Sequence, residues 1–164
     1  MLARMVVVCA LGLSVGASAN ETLRGIKDVR VTISLEENRS TGLSAGSIIT
    51  DVELELQGLG VPVTDSPSDD YLHISIVILS MNREDPGEAL RYVYFVSADY
   101  YQRTQIVREN IIITSTSSTW RYSGRLGLAD ERISETVSEI CLRAARNFAN
   151  DYLKANQRTS TPDE

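Results

Sequence analysis

Apolar residues in the last part of the chain recur at spacings of three and four, the period of an α-helix that buries one stripe. At residues 130–157 this stripe consists of Ile133, Val137, Ile140, Cys141, Ala144, Phe148 and Tyr152. Asp130 is placed to cap the first turn. The pattern predicts a helix of about 25 residues, on the order of 38 Å long, and the rest of the chain must cover its apolar stripe.

Two earlier segments alternate apolar and polar residues, which is typical of a strand with one buried face. They span residues 29–35 and 72–78. Between them, residues 44–59 have helical spacing, with Ser44 as a candidate N-cap and Gly58 and Gly60 at the end. The segment before them, residues 20–27, is expected to be a frayed lead-in.

Two β-rich stretches follow at residues 90–107 and 111–122, joined by a hairpin connection. We expect Gly124 and Gly127 to break the chain before the final helix, because glycine weakens a strand. The segment around Trp120 can be a lid on the core or a binding aromatic, and the core position is the prediction.

The resulting element order, β-α-β-β-β-α, predicts an α+β fold. A right-handed crossover makes the first two strands parallel, and the last three form an antiparallel meander. We expect a two-layer sandwich in which a four-stranded mixed sheet, in the order 1-2-3-4, carries both helices on one face. Insertion of the first strand elsewhere in the sheet stays open.

The N-terminal residues have the pattern of a secretory signal peptide. Arg4 precedes an apolar run at residues 5–15, and Ala17-Ser18-Ala19 has the small residues of a cleavage site. The run is too short to cross roughly 30 Å of hydrocarbon, and Cys9 lies inside it rather than at the cleavage point. We therefore expect a signal peptide at 1–19, a single domain at 20–157 and a disordered polar tail at 158–164. After cleavage of the signal, the protein is expected to be periplasmic or secreted, with no lipid anchor and no transmembrane segment.

Charge and cysteine content narrow the candidate partners and chemistry. The chain has a net charge of −6, which argues against binding to a nucleic-acid backbone. Cys9 leaves with the predicted signal, so Cys141 is single and is expected to be a buried thiol rather than a disulfide partner.

The search for catalytic chemistry is negative. His73 is the single histidine, and a histidine on a strand beside a polar loop is expected to be a surface residue rather than a metal ligand. The sequence contains no G-x-S-x-G, G-x-G-x-x-G or P-loop motif. No catalytic residue, metal site or cofactor is predicted.

Three short patterns carry a resemblance to known proteins. They are Leu59-Gly60-Val61-Pro62 after the first helix, Thr119-Trp120 before a glycine-rich turn, and Asn150-Asp151-Tyr152-Leu153 near the end of the last helix. Together they resemble small secreted bacterial proteins. The signal and element order are similar to α+β envelope modules such as the N-terminal domain of TolB and the LptE lipoproteins. This resemblance implies a binding or assembly module rather than an enzyme.

The polar residues of the third strand predict which of its faces is buried. Ser97 and Asp99 should avoid the core, so Tyr92, Tyr94, Val96, Ala98 and Tyr100 are expected to face the helices. The opposite face would expose Val93, Phe95 and Tyr101, together with Val77 and Leu79 from the neighbouring strand. These five residues form the predicted interaction face, unless a loop or the N-terminal segment covers them.

Two functions are compatible with these patterns. One is a non-catalytic interaction module that binds a protein, an envelope component or a second copy of itself through the open sheet face. The alternative is a small-ligand carrier or small hydrolase, which needs a pocket between sheet and helices.

Overall fold

The computed structural model describes residues 22–38, 40–67, 70–81, 91–108 and 111–157. The predicted signal at 1–19 and the predicted tail at 158–164 lie outside the described residues. The same is true of most of the connection between the second and third strands, and of the turn at 109–110.

The fold is an α+β sandwich with a four-stranded mixed sheet, as the sequence predicts. Its elements are β1 (Arg30–Glu37), α1 (Ala45–Gly58), β2 (Tyr71–Ser80), β3 (Tyr92–Arg108), β4 (Ile111–Ala129) and α2 (Ile133–Gln157). The strand order is β1-β2-β3-β4. Strands β1 and β2 are parallel, and the other two pairs are antiparallel. The predicted strand order is therefore confirmed.

Helix α1 begins and ends as its sequence predicts. Ser44 is extended, and its hydroxyl accepts a hydrogen bond from the Ser47 amide at 3.4 Å, which satisfies one of the free donors of the first turn. At the other end Gly60 has a φ of 86°, a conformation that glycine adopts without strain. The Val61 amide then donates to the Leu56 carbonyl at 2.9 Å, which closes the helix end.

Helix α2 begins later than predicted, at Ile133 rather than at Asp130. The Asp130 carboxylate accepts the Arg132 amide at 3.0 Å, and its carbonyl accepts the Ile133 amide at 3.1 Å. These bonds form a turn that leads into the helix, since an aspartate can use its side chain to hold a local turn. The predicted apolar stripe itself is confirmed, because all seven of its residues are buried.

The prediction that β4 ends near Tyr122 is wrong, because the strand continues through both glycines to Ala129. The Phe95 ring occupies the space where a Cβ of Gly124 would lie, and the Tyr94 ring does the same at Gly127. Aromatic side chains of β3 thus cover the positions where β4 has no side chain of its own, which compensates for the low strand propensity of glycine.

The core fills the layer between the sheet and the helices. On β2, Leu72, Ile74, Ile76 and Ile78 are fully buried. At the centre, the Phe148 ring of α2 lies 5.2 Å from Tyr100 and 5.1 Å from Trp120, measured between ring centroids. Trp120 is a core residue as predicted, and its indole N–H donates to the Asp151 carboxylate at 3.0 Å.

The segment before β1 is docked, in contrast to the frayed lead-in that the sequence suggests. Leu23 is fully buried, and its carbonyl accepts a hydrogen bond from the Asn156 amide group at 3.1 Å. The Tyr152 hydroxyl donates to the Ile26 carbonyl at 3.1 Å. The described part of the N-terminal segment is therefore held against the last turns of α2.

Cys141 provides a test of this packing. Its side chain is fully buried, and burial raises the pKa of the thiol to about 12. Because the thiolate is the reactive form, we expect Cys141 to resist a thiol reagent in the native protein and to react after unfolding. Cys141→Ala should cost on the order of 1 kcal/mol of stability. Rapid labelling of the native protein would contradict the assigned face of α2.

Candidate functional site

The predicted interaction face lies on the side of the sheet opposite the helices. Val77 is directly opposite Phe95, and Leu79 is opposite Val93, across β2 and β3. Leu79 is 49% exposed and Phe95 is 40% exposed, whereas the two valines are half-buried. These four predicted residues are therefore neighbours on a surface that is open to solvent.

Strand β4 adds two leucines that the sequence analysis missed. Leu126 is opposite Phe95 and is 74% exposed; Leu128 is opposite Val93 and is 68% exposed. They were missed because the glycines were expected to end the strand. Their alternation with Gly127 and Ala129 is the signal that could have revealed them.

The resulting surface is two parallel rows of apolar side chains across β2, β3 and β4. One row is Val77, Phe95 and Leu126, and the other is Leu79, Val93 and Leu128. We call these six residues the apolar patch. Its members carry no charge, and Leu126 and Leu128 are more exposed than any other residue of the patch.

Tyr101 belongs to the same sheet face but not to the apolar patch. It lies six residues beyond Phe95 on β3, a separation of about 20 Å. Its ring stacks on Tyr71 of β2, with 5.2 Å between the ring centroids. The structure thus brings four of the five predicted residues together and places the fifth at the other end of the sheet.

Hydrogen-bonded polar side chains occupy the sheet face between the patch and Tyr101. The two ring nitrogens of His73 contact the hydroxyls of Thr32 at 2.9 Å and Ser34 at 3.2 Å. The Asp99 carboxylate accepts hydrogen bonds from Arg121 at 2.6 Å and from Ser118 at 2.9 Å. The His73 ring and the Asp99 carboxylate are therefore both paired with neighbouring polar side chains.

The environment of His73 bears on the question of a metal site. Both ring nitrogens already contact hydroxyl groups of β1, and its partner across β2 and β3, Asp99, is bonded to Arg121. Within the described ranges no group of three or more histidine, cysteine, aspartate or glutamate residues is arranged to hold a metal ion.

The N-terminal segment and the loop between β2 and β3 are the candidate covers of the predicted interaction face. The described N-terminal residues dock against α2 through Leu23 and Ile26, on the helix side of the molecule. The connection at residues 82–90, which follows β2 and precedes β3, lies outside the described residues. Among the residues that are described, the apolar patch is left exposed.

The Phe95 ring has a defined position within the patch. Because it covers Gly124 on the neighbouring strand, it lies along the sheet rather than extending into solvent. Contact with the glycine restricts the rotamers of the ring before any partner binds. An aromatic side chain that is already ordered loses less conformational entropy when it is buried in an interface.

Two clefts of the described residues lie at the surface, next to β4. One of about 450 Å³ is polar and lies between β4 and α2. Another of about 390 Å³ lies where β4 meets the start of α2. Between the sheet and the helices, side chains such as Tyr100, Phe148 and Leu56 are fully buried, in the layer where a carrier would need a void.

Comparisons with known proteins find likeness among solved structures only. No protein-family model matches the chain, and no curated protein was found to match it. Among solved structures it is similar to a minor lipoprotein from Acinetobacter baumannii, at 11% identity and a TM-score of 0.33, over 84% of this chain and 97% of that one. A likeness of this degree carries no argument about function. In the described part of the chain, no helix has the length and apolar character needed to span a membrane.

Proposed function

We propose that this protein is an exported, non-catalytic interaction module that binds a protein partner through the apolar patch. The observation that carries the proposal is the exposure of the patch: Leu79, Phe95, Leu126 and Leu128 are between 40% and 74% exposed in two adjoining rows. Monomeric proteins rarely leave large contiguous apolar surfaces in water, and such surfaces mark interaction sites.

The composition of the patch supports a protein partner with an apolar surface. Burying apolar surface contributes roughly 25 cal/mol per Å², and here the patch has no charged side chain to desolvate. Phe95 lies in the middle of its row, between Val77 and Leu126, where a binding hot spot is expected. Because the Phe95 ring already contacts Gly124, it should lose little conformational entropy when a partner binds.

The partner is another envelope protein or a second copy of this chain. Two copies could pack their open faces together, since sheets stack about 10 Å apart through apolar side chains. The acidic net charge of −6 does not favour nucleic acid as a partner. No cofactor is needed for this function.

The alternative, a small-ligand carrier or small hydrolase, has less support. Its pocket would lie between sheet and helices, where side chains such as Tyr100 and Phe148 are fully buried. A hydrolase based on His73 would also have to release that ring from the Thr32 and Ser34 hydroxyls. We therefore propose binding rather than catalysis.

The location is proposed from the sequence. The apolar run at 5–15 and Ala17-Ser18-Ala19 support export to the periplasm or beyond the cell. A bacterial envelope location accords with the proposed role, because the partner would be met after export.

A charge placed in the apolar patch tests the proposal. Leu126→Glu should change the free energy of unfolding by less than about 0.5 kcal/mol, because the side chain is largely exposed. It should abolish association, because an unpaired carboxylate would be buried against an apolar partner. Partner binding is measured by exposing immobilised wild-type and variant proteins to envelope extract. Self-association is measured by light scattering.

The matched control is Leu54→Glu, on the opposite layer of the molecule. Leu54 is 61% exposed on α1, so both variants exchange an exposed leucine for the same charge. The proposal predicts that Leu54→Glu retains the partner. It fails if both variants retain the partner equally, or if the wild type is strictly monomeric and captures nothing.

Export has its own test. Mass spectrometry of the protein recovered from the cell should find Asn20, or a residue within one or two positions of it, as the N-terminus. Recovery of the chain with Met1 intact in a membrane fraction would contradict both the signal and the location.

A further inference from the structure

A cleft lies between helix α2 and strand β4, which forms one edge of the sheet. Its volume of about 450 Å³ is within the range of roughly 300–1,000 Å³ that is typical of small-molecule sites. Strand β4 contributes residues 120–123 and Arg125, and α2 contributes Asn147, Asn150, Asp151 and Lys154. We call the space between these residues the β4–α2 cleft.

The four α2 residues of the cleft form one stripe of the helix. They occur at positions 147, 150, 151 and 154, and residues three and four apart are neighbours on a helix surface. Asn147 and Asn150 are exposed, and each amide group can both donate and accept hydrogen bonds. This wall of the cleft is therefore polar, although the adjacent stripe of α2, which includes Phe148, belongs to the core.

A β-bulge places Arg125 on the helix side of the sheet. Arg125 pairs with Val96, and Tyr122 pairs with Ala98, so β4 has two residues, 123 and 124, where β3 has one. Val96 and Ala98 are fully buried, and directly paired residues share one face of a sheet. Without the bulge, alternation from Tyr122 would send Arg125 to the open face. Bulges that re-aim a side chain are frequent next to functional sites.

The Arg125 guanidinium is oriented by its neighbour on the strand. Its Nε donates to the Tyr122 hydroxyl at 3.4 Å, and the Tyr122 side chain is buried. Among the residues that the structure describes, no carboxylate forms an ion pair with Arg125. Its two terminal nitrogens, which can bind a carboxylate through two parallel hydrogen bonds, are therefore available to a ligand.

The other charged groups of the cleft have partners of opposite charge. Arg121 forms an ion pair with Asp99 at 2.6 Å. The Lys154 ammonium lies 3.8 Å from the Asp151 carboxylate. Within the described ranges, Arg125 thus supplies the one charge of the cleft that is not compensated.

One uncompensated positive charge fits a ligand with one negative charge. A carboxylic acid carries a single charge at neutral pH, whereas a phosphate monoester carries roughly −1.5 to −2. The Asp151 carboxylate in the same cleft adds a repulsion that is stronger for a dianion. The amide groups of Asn147 and Asn150 suit a ligand that has further hydrogen-bonding groups.

We infer that the β4–α2 cleft binds a small polar carboxylic acid, whose carboxylate pairs with Arg125 and whose other polar groups contact Asn147 and Asn150. This site goes beyond the proposed protein-binding role. It lies on the helix side of β4, whereas the apolar patch lies on the open face of the sheet.

Trp120 provides a reporter for this site, because it is the single tryptophan of the chain. Its indole N–H donates to the Asp151 carboxylate in the cleft at 3.0 Å. The full-length protein is titrated at neutral pH and constant ionic strength with lactate and N-acetylglycine, and with the uncharged amides of both acids. We expect a saturable change in Trp120 emission with the two acids and none with the amides.

Two arginine variants test the assigned contact. Arg125→Gln should weaken binding of both acids by about tenfold or more, because a charge-assisted hydrogen-bonded contact is lost. Arg143→Gln is the matched control, since Arg143 is 50% exposed on α2 and lies outside the cleft. It removes the same charge and should bind the acids as the wild type does. Without ligand, both variants should melt at the temperature of the wild type, because both side chains are exposed.

Inorganic phosphate tests the assigned ligand charge. It should bind the wild type more weakly than either acid, and Asp151→Asn should reduce this difference because it removes the repulsion. Tighter binding of phosphate than of either acid to the wild type would overturn the assignment of a singly charged ligand.

The remaining outcomes separate a site from general attraction by charge. The inference fails if neither acid gives a saturable response, or if Arg125→Gln binds the acids as tightly as the wild type. An equal loss in Arg143→Gln would indicate attraction by net charge alone and would overturn it too. Partner capture through the apolar patch is measured without these acids, so its outcome is independent.

Discussion

Both helices pack on the same face of the four-stranded sheet, and the rest of the structure depends on this arrangement. The long stripe of α2 requires a continuous apolar surface opposite it, which β3 and β4 supply through residues such as Tyr100 and Trp120. Alternation along the strands then sends every second side chain to the uncovered face. The polarity of those side chains determines whether that face stays in contact with water or can bind a partner.

The uncovered face is divided between two kinds of surface. The His73 ring and the Asp99 carboxylate are hydrogen-bonded to neighbouring side chains, and this half of the face is polar. Around Phe95 and Leu126 the side chains are apolar and exposed. This division supports the proposal that the apolar half binds a partner. The other half of the same face has polar side chains, as a surface in contact with water usually does.

The sequence predicted the layers and the strand order well, because both follow from apolar periodicity. It failed where contacts between strands decide the outcome. Gly124 looks like a strand breaker until the Phe95 ring of the next strand covers it, so the end of β4 and the exposed Leu126 were missed. Alternation assigned Tyr101 to the same sheet face as Phe95, but the prediction grouped the two although six residues along one strand separate them by about 20 Å. The long hairpin of residues 90–107 and 111–122 was predicted, but the length by which β3 and β4 extend beyond β2 depends on how the strands pair.

Photo-crosslinking in living cells tests the central proposal most directly. A benzophenone amino acid replaces Leu126 in the apolar patch, or Leu54 on α1 as the control, and the cells are irradiated. The proposed function predicts a discrete adduct of one defined partner, or of a second copy, from Leu126 and none from Leu54. Absence of an adduct at Leu126, or the same adducts from both positions, would contradict a binding role for the open sheet face.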